Sequence, residues 1–230
     1  MINFIQLGAN VGKSMSDMMW WLAPEMGWNG IFVEPVPECF DKLTKCYENL
    51  TGSYFEPIAI IPDPAPPPKK ELGLDHGNQG FPLDREGKVL IHQTGKTGEQ
   101  SSIVRGAVPT GPDEFLVDAM TLLELVVKYD MAGQDFDLLI TDVEKLDYDI
   151  IMTTDFDLVK PKYIKTEVIH NSKNQNKSLA AYLGAWGYEK IPDPWYSRYV
   201  EMCATVTTEN FGTNFKAEKA KYNAVYKRKK

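Results

Sequence analysis

Cysteine is scarce in this chain: Cys39, Cys46 and Cys203 are the only three among 230 residues. So sparse and odd a set cannot form a disulfide framework, and it implies a reducing compartment with bystander thiols. Cys39 and Cys46 stand seven apart with no histidine beside them, so no thiolate metal site is expected. No run of about 18 apolar residues occurs, and no transmembrane helix is expected. The N-terminus enters an apolar stretch without a basic region or cleavage site, which points to no signal peptide and a cytoplasmic location. Positive charge is in deficit, with a net charge of −7. The stretch 209–230 carries seven Lys or Arg and two Glu, or +5, so the remainder carries −12. So acidic a body argues against binding nucleic-acid backbones. The basic end reads as a solvated, partly frayed tail. What is present is ordinary: 43% hydrophobic and 25% charged residues, enough for one domain with a real core. That domain is expected over 1–206, with a tail over 207–230.

The most informative stretch is Phe4-Ile5-Gln6-Leu7-Gly8-Ala9-Asn10-Val11-Gly12. An apolar run stops at Gly8, a second glycine follows at Gly12, and Met15, Met18, Met19 and Leu22 then recur at helical spacing. Strand, glycine turn and helix open a nucleotide-binding α/β unit, because glycine admits positive φ and close backbone approach. The next apolar run, Gly30-Ile31-Phe32-Val33, ends in Glu34. An acid at the second strand end, about 20 residues after the turn, is placed to accept ribose hydroxyls. The blander reading, a tight turn and a surface carboxylate, explains the glycines but not where the acid falls. The third glycine of the dinucleotide fingerprint is missing.

Downstream, a first helix is expected from about Lys13 to Met26, with Pro24 a point at which it can end early. Asp17 is near enough to face the glycine turn, or is a solvent-facing helix charge. A second helix carries Phe40, Leu43, Tyr47 and Leu50 on one face, and Ser53 to Ile61 reads as a single third strand. Small Ala59 at its end offers a flat seat for an adenine ring. Residues 62–87 form an irregular insertion rich in Pro and Gly. Val89–His92, Ser101–Val104 and Phe115–Val117 are short strand candidates. Thr121 and Glu124 spell a capping box. A helix is expected over Ser178–Gly187, and Tyr188–Ile191 and Arg198–Val206 read as a closing strand pair around Pro192-Asp193-Pro194.

The second informative stretch is Phe136-Asp137-Leu138-Leu139-Ile140-Thr141-Asp142-Val143-Glu144. In an open parallel sheet, ligands lie beyond the carboxyl ends of the strands. Asp142 and Glu144 are therefore expected over the same crevice as Gly8 and Glu34. Clustered acids repel and need a reason. A hard metal usually takes more oxygen ligands than this stretch offers, so no metal is assigned. An acidic loop capping the next helix is the plain alternative.

Over nearly its full length the chain resembles the FkbM-type S-adenosylmethionine (SAM) methyltransferases. The resemblance rests on Phe4 to Gly12, Gly27-Trp28-Asn29-Gly30-Ile31-Phe32-Val33-Glu34-Pro35, the pair Ser101-Ser102, Thr121-Leu122-Leu123-Glu124-Leu125, Phe136 to Glu144 and Gly187-Tyr188, in that order. It implies an α/β class I methyltransferase (Rossmann-like) fold: a seven-stranded sheet with a reversed last hairpin and helices on both faces. It also implies SAM as cofactor and methylation of a hydroxyl on a small-molecule or carbohydrate acceptor. Where the family usually continues Asp-x-Glu with glycine, Lys145 stands here.

On that basis Gly8, Ala9, Asn10 and Gly12 are expected at the amino-acid end of SAM and Glu34 at the ribose. Ala59 and Ser102 are expected around the adenine, and Asp142 near the methyl group. A hydroxyl acceptor must lose a proton; Asp142, Glu144, Glu167 and His170 are the candidates, and imidazole has the most suitable intrinsic pKa. Asp193-Pro194-Trp195-Tyr196 resembles the motif of amino methyltransferases but falls too late in the chain, which favours oxygen as acceptor. Two other functions remain open: a nucleotide-dependent oxidoreductase, and a non-catalytic module of the same fold.

Overall fold

The computed structural model describes residues 1–12, 17–64, 87–93, 102–104, 113–197 and 223–229, the stretch 102–104 by its backbone alone. Four parallel strands make the centre. They are β1 (Phe4–Leu7), β2 (Gly30–Val33), β8 (Asp135–Thr141) and β9 (Lys160–Glu167), paired in parallel in the order β9-β8-β1-β2. Strands covered on both faces have no solvent side, which is why β2 reads as an unbroken hydrophobic stretch and β1 is broken only by Gln6. β3 (Tyr54–Glu56) extends one edge, β10 (Tyr188–Ile191) and β11 (Asn223–Arg228) the other, giving β10-β11-β9-β8-β1-β2-β3.

Successive side chains point to opposite faces and define two cores. Phe4, Phe32, Leu138 and Ile140 pack with α1 (Met19–Met26) and α2 (Pro37–Cys46). Ile5, Leu7, Ile31, Val33 and Leu139 pack with α3 (Leu122–Lys128), α4 (Asp147–Thr153) and α5 (Lys173–Ala185). Helices therefore cover both faces, as a class I methyltransferase fold requires. No helix among the described residues is long and apolar enough to cross a membrane.

Several expectations are corrected. The stretch from Ser53 to Ile61 is two strands: β3 pairs with β2, whereas β4 (Ala59–Ile61) pairs with β7 (Glu114–Thr121). Pro57 lies between them, and its missing N–H cannot continue a ladder. β4 and β7, with β5 (Lys88–His92) and β6 (Ser102–Val104), form a separate four-stranded sheet in the order β4-β7-β5-β6. The reversed edge is made by β11, which lies antiparallel between β9 and β10. The basic end is thus not all frayed tail: Ala224, Val225 and Tyr226 are buried. Arg198–Val206, expected to pair with β10, falls outside the described residues, and β11 takes that position.

The helix boundaries have local causes. α1 starts only at Met19, while Lys13–Ser16 fall outside the described residues. Pro24 does not end α1; Gly27 does, in a left-handed cap (φ 62°) where Trp28 N–H bonds Ala23 O at 2.8 Å. The capping box expected at Thr121 and Glu124 is present. α5 begins earlier than expected, at a second capping box of Ser172 and Gln175.

Candidate active site

One register row fixes the site. Leu7 pairs with Val33 on one side and Thr141 on the other, and Thr141 pairs with Thr166. One step beyond that row stand Gly8, Glu34, Asp142 and Glu167. Four parallel strands thus deliver a glycine and three acids to a single rim.

The turn after β1 is built on left-handed backbone at Gly8 (φ 74°), Asn10 (φ 49°) and Gly12 (φ 79°). Gly8 has no room for a side chain, since a Cβ there would lie 1.9 Å from the Asp142 carbonyl oxygen. The amides of this turn are already engaged. Gly8 and Ala9 N–H both donate to Val33 O at 3.0 Å, and Gly12 N–H donates to Ala9 O at 3.0 Å. Asn10 N–H donates to Glu34 Oε2 and Val11 N–H to Asn10 Oδ1, each at 2.7 Å. A phosphate-cradling loop needs free N–H groups aimed at the ligand. This turn keeps its donors for itself.

What faces the ligand side is acceptor-rich. Glu34 is buried, taking Asn10 N–H on one oxygen and Val36 N–H on the other at 2.9 Å. Burial pushes its carboxyl up to about 7 against the pull of those two amides. A carboxylate has about four lone-pair sites, so two remain for ribose hydroxyls. Glu34 is therefore also a strut joining the first two strand ends, a role the sequence did not announce.

On the α1 side, Asp17 accepts Met19 N–H at 2.7 Å. Burial pushes its carboxyl up to about 7 and the nearby Asp142 charge adds to this; the Met19 amide, the Gln6 side chain and the Tyr47 hydroxyl pull it down. Gln6 is buried at 4% exposure, and its Oε1 has no hydrogen-bond partner among the described residues. Gln6 was not singled out from sequence; its signal was a polar residue in an apolar strand next to the glycine turn. Asp17 faces the turn rather than solvent.

Asp142 itself is exposed at the end of β8, its N–H bonded to Leu7 O at 3.1 Å. Behind it sits Asp147, buried at the start of α4 and also missed from sequence. Burial pushes the Asp147 carboxyl up to about 7; a hydrogen bond with Thr141 and the Val143 amide pull it down, and the Asp142 charge raises it. Thr141 Oγ1 and Thr166 Oγ1 are hydrogen-bonded at 2.8 Å, tying β8 to β9 under the rim.

The loop after β8 carries Glu144 and Lys145 in left-handed conformations, φ 48° and 75°. It brings Glu144 Oε2 to 3.4 Å from His170 Nε2, and Glu167 Oε2 lies 3.8 Å from the same nitrogen. Of the four base candidates, Glu144, Glu167 and His170 are brought together from two strand ends. Lys145 occupies a backbone position that favours glycine, so the departure noted in the sequence sits where it costs strain.

The adenine expectations fare differently. Ala59 is buried at 3% exposure with Val36, Cys39, Val89, Ile91 and Val117. Its side chain packs inside the smaller sheet's core instead of facing an opening, because β4 left the main sheet at Pro57. Ser102 lies on β6 opposite His92; its side chain, like Ser101, is outside the described residues. The insertion over 65–86 is outside them too.

With this geometry in place, comparison with known families is informative. A family model described as the methyltransferase FkbM domain matches residues 6–190, and the chain belongs to that family. No curated protein matches the chain.

Proposed function

We propose that this FkbM-family methyltransferase binds SAM at the β1 turn and transfers its methyl group to a hydroxyl of a small molecule or sugar. The observation that carries this reading is the pairing of a turn whose five amides are all engaged with a rim of carboxylates. Such a rim repels pyrophosphate and attracts cationic groups. SAM has two, an ammonium and a sulfonium. Gln6 Oε1 and the Asp17 and Asp142 carboxylates supply acceptors for the ammonium, beside Gly8, Ala9, Asn10 and Gly12. Glu34 uses its remaining lone pairs on the ribose. A nicotinamide dinucleotide, by contrast, needs the free amides this turn lacks.

SAM when bound supplies an electrophilic methyl group, so the protein's work is alignment, exclusion of water and handling of one proton. Asp142 is exposed just past β8, two residues before Glu144 on the same loop. An acceptor hydroxyl entering there would give its proton to the bases Asp142, Glu144, Glu167 and His170. His170 Nε2 stands beside both carboxylates, 3.4 Å from Glu144 Oε2 and 3.8 Å from Glu167 Oε2.

The test is thermal unfolding with SAM, its demethylated product or NAD. A ligand at 100 times its Kd adds about 2.7 kcal/mol, or roughly 5–10 °C at this chain length. SAM and its product should raise Tm while NAD leaves it unchanged; the opposite pattern overturns the assignment. Labelled methyl transfer into hydroxyl-bearing acceptor pools then separates an enzyme from a binding module.

A further inference from the structure

The side chains beyond β8 and β9 support more than proton transfer. Glu144, Glu167 and His170 each offer one ligand atom, and all three atoms lie within 4.8 Å of one another. The imidazole Nε2 stands 3.4 Å from one carboxylate and 3.8 Å from the other. Both spacings exceed the 2.7–3.2 Å of an ordinary N–H···O bond, so a proton on Nε2 bridges neither carboxylate well. They are close to what a shared ion produces: ligands at about 2.0–2.2 Å from a metal stand roughly 3.0–3.5 Å apart. Two carboxylates this close repel unless positive charge, from a protonated imidazole or a bound cation, lies beside them.

We propose that Glu144, Glu167 and His170 form a binding site for a first-row divalent cation, of which Mn2+ and Zn2+ are the best matches. The donor set selects the class. One imidazole and two carboxylates suit Mn2+, Fe2+, Co2+ or Zn2+, whereas Ca2+ takes six to eight oxygens. Asp142 and Glu144 alone offered too few ligands for this to be read from sequence. The fold supplies Glu167 and His170 from the neighbouring strand, because Thr141 and Thr166 are in register. Binding of the cation does not depend on the methyl-transfer reading; its use does. With positions left open for solvent or substrate, the cation lowers the pKa of an acceptor hydroxyl that reaches it. The site therefore selects acceptors whose hydroxyl can ligate a metal.

The experiment uses the full chain stripped with a chelator and titrated with Mn2+, free ion being followed by electron paramagnetic resonance. One saturable site per chain, competed by Zn2+, is expected. Affinity should fall at least about tenfold in Glu144→Gln, Glu167→Gln and His170→Ala, and stay unchanged in Glu38→Gln, an exposed acid elsewhere. His170 is more than a third exposed, so His170→Ala keeps the test valid if Glu167→Gln fails to fold. No saturable binding, or binding retained in folded Glu144→Gln and His170→Ala, overturns the proposal. SAM-dependent Tm shifts on the same stripped protein fail or succeed independently of Mn2+, so loss of one reading is distinguishable from loss of the other.

Discussion

Adding one methyl group at Gly8 tests how the strand ends meet. Gly8 has φ 74°, and a Cβ there would lie 1.9 Å from the Asp142 carbonyl oxygen and 2.9 Å from its carbon. Gly133 has the same φ of 74°, yet a Cβ there meets nothing within 4 Å. Gly133→Ala therefore isolates the backbone cost, about 1–2 kcal/mol for a left-handed alanine. Gly8→Ala adds a clash that normal contact at about 3.5 Å cannot absorb without moving backbone. Relief displaces the β8 end or the turn. Either loosens the Asp142 N–H to Leu7 O bond or the two bonds to Val33 O, each worth about 0.5–1.5 kcal/mol net. The expected cost of Gly8→Ala is about 3–5 kcal/mol, a large share of a typical 5–15 kcal/mol stability. Urea unfolding of both variants gives the comparison, with SAM-induced Tm shifts as a second readout. Gly133→Ala should still respond to SAM and Gly8→Ala should not. Equal destabilisation by the two would refute the claim that glycine is required by the approach of β1 to β8.

The ligand-free protein should lose stability as pH rises from about 5 to 8. The carboxyls of Asp17, Glu34 and Asp147 are raised to about 7 in the fold. Their contribution is complete below the ordinary carboxylate range and is lost as pH climbs through 7, by up to about 1.4 kcal/mol per pH unit for each group. Urea titrations across that range should flatten in Asp147→Asn; a wild-type stability that rises to pH 8 contradicts the burial argument. Lys145→Gly should stabilise by about 0.5–1 kcal/mol, because relief of a left-handed lysine at φ 75° exceeds the entropy that glycine adds to the unfolded chain. Lys145→Ala should show no gain in the same unfolding assay. Deleting 223–230 removes the strand between β9 and β10 and three buried side chains, each worth about 1.5–3 kcal/mol where large and apolar. The truncated chain should fail to give a cooperative thermal transition; a normal one would mean that β11 is dispensable.

Local pattern settled part of this molecule before any coordinates. Largely apolar runs marked β1, β2 and β8 because a strand covered on both faces has no solvent side to reveal. Gly8 and Gly12 marked the turn because few other residues take positive φ, and Thr121 with Glu124 marked a helix start because a cap is completed within four residues. Acids at Glu34, Asp142 and Glu144 were placed at strand ends by chain position alone, and the parallel order follows from strands alternating with helices.

Tertiary structure decided what depends on partners distant in the chain. Asn223–Arg228 is short and ringed by lysines, so nothing local separates an interior strand from a solvated tail; pairing with β9 does. Pro57 read as an incident within a strand until β4 found β7, and that choice buried Ala59 in the core of the smaller sheet. The turn amides were expected to greet a ligand, yet Val33 and Glu34, two dozen residues on, take them first. Glu144, Glu167 and His170 meet only because two strands share a register. Sequence periodicity reports which faces are apolar within one element, whereas a site is a set of distances between elements, and those are fixed only when the sheet closes.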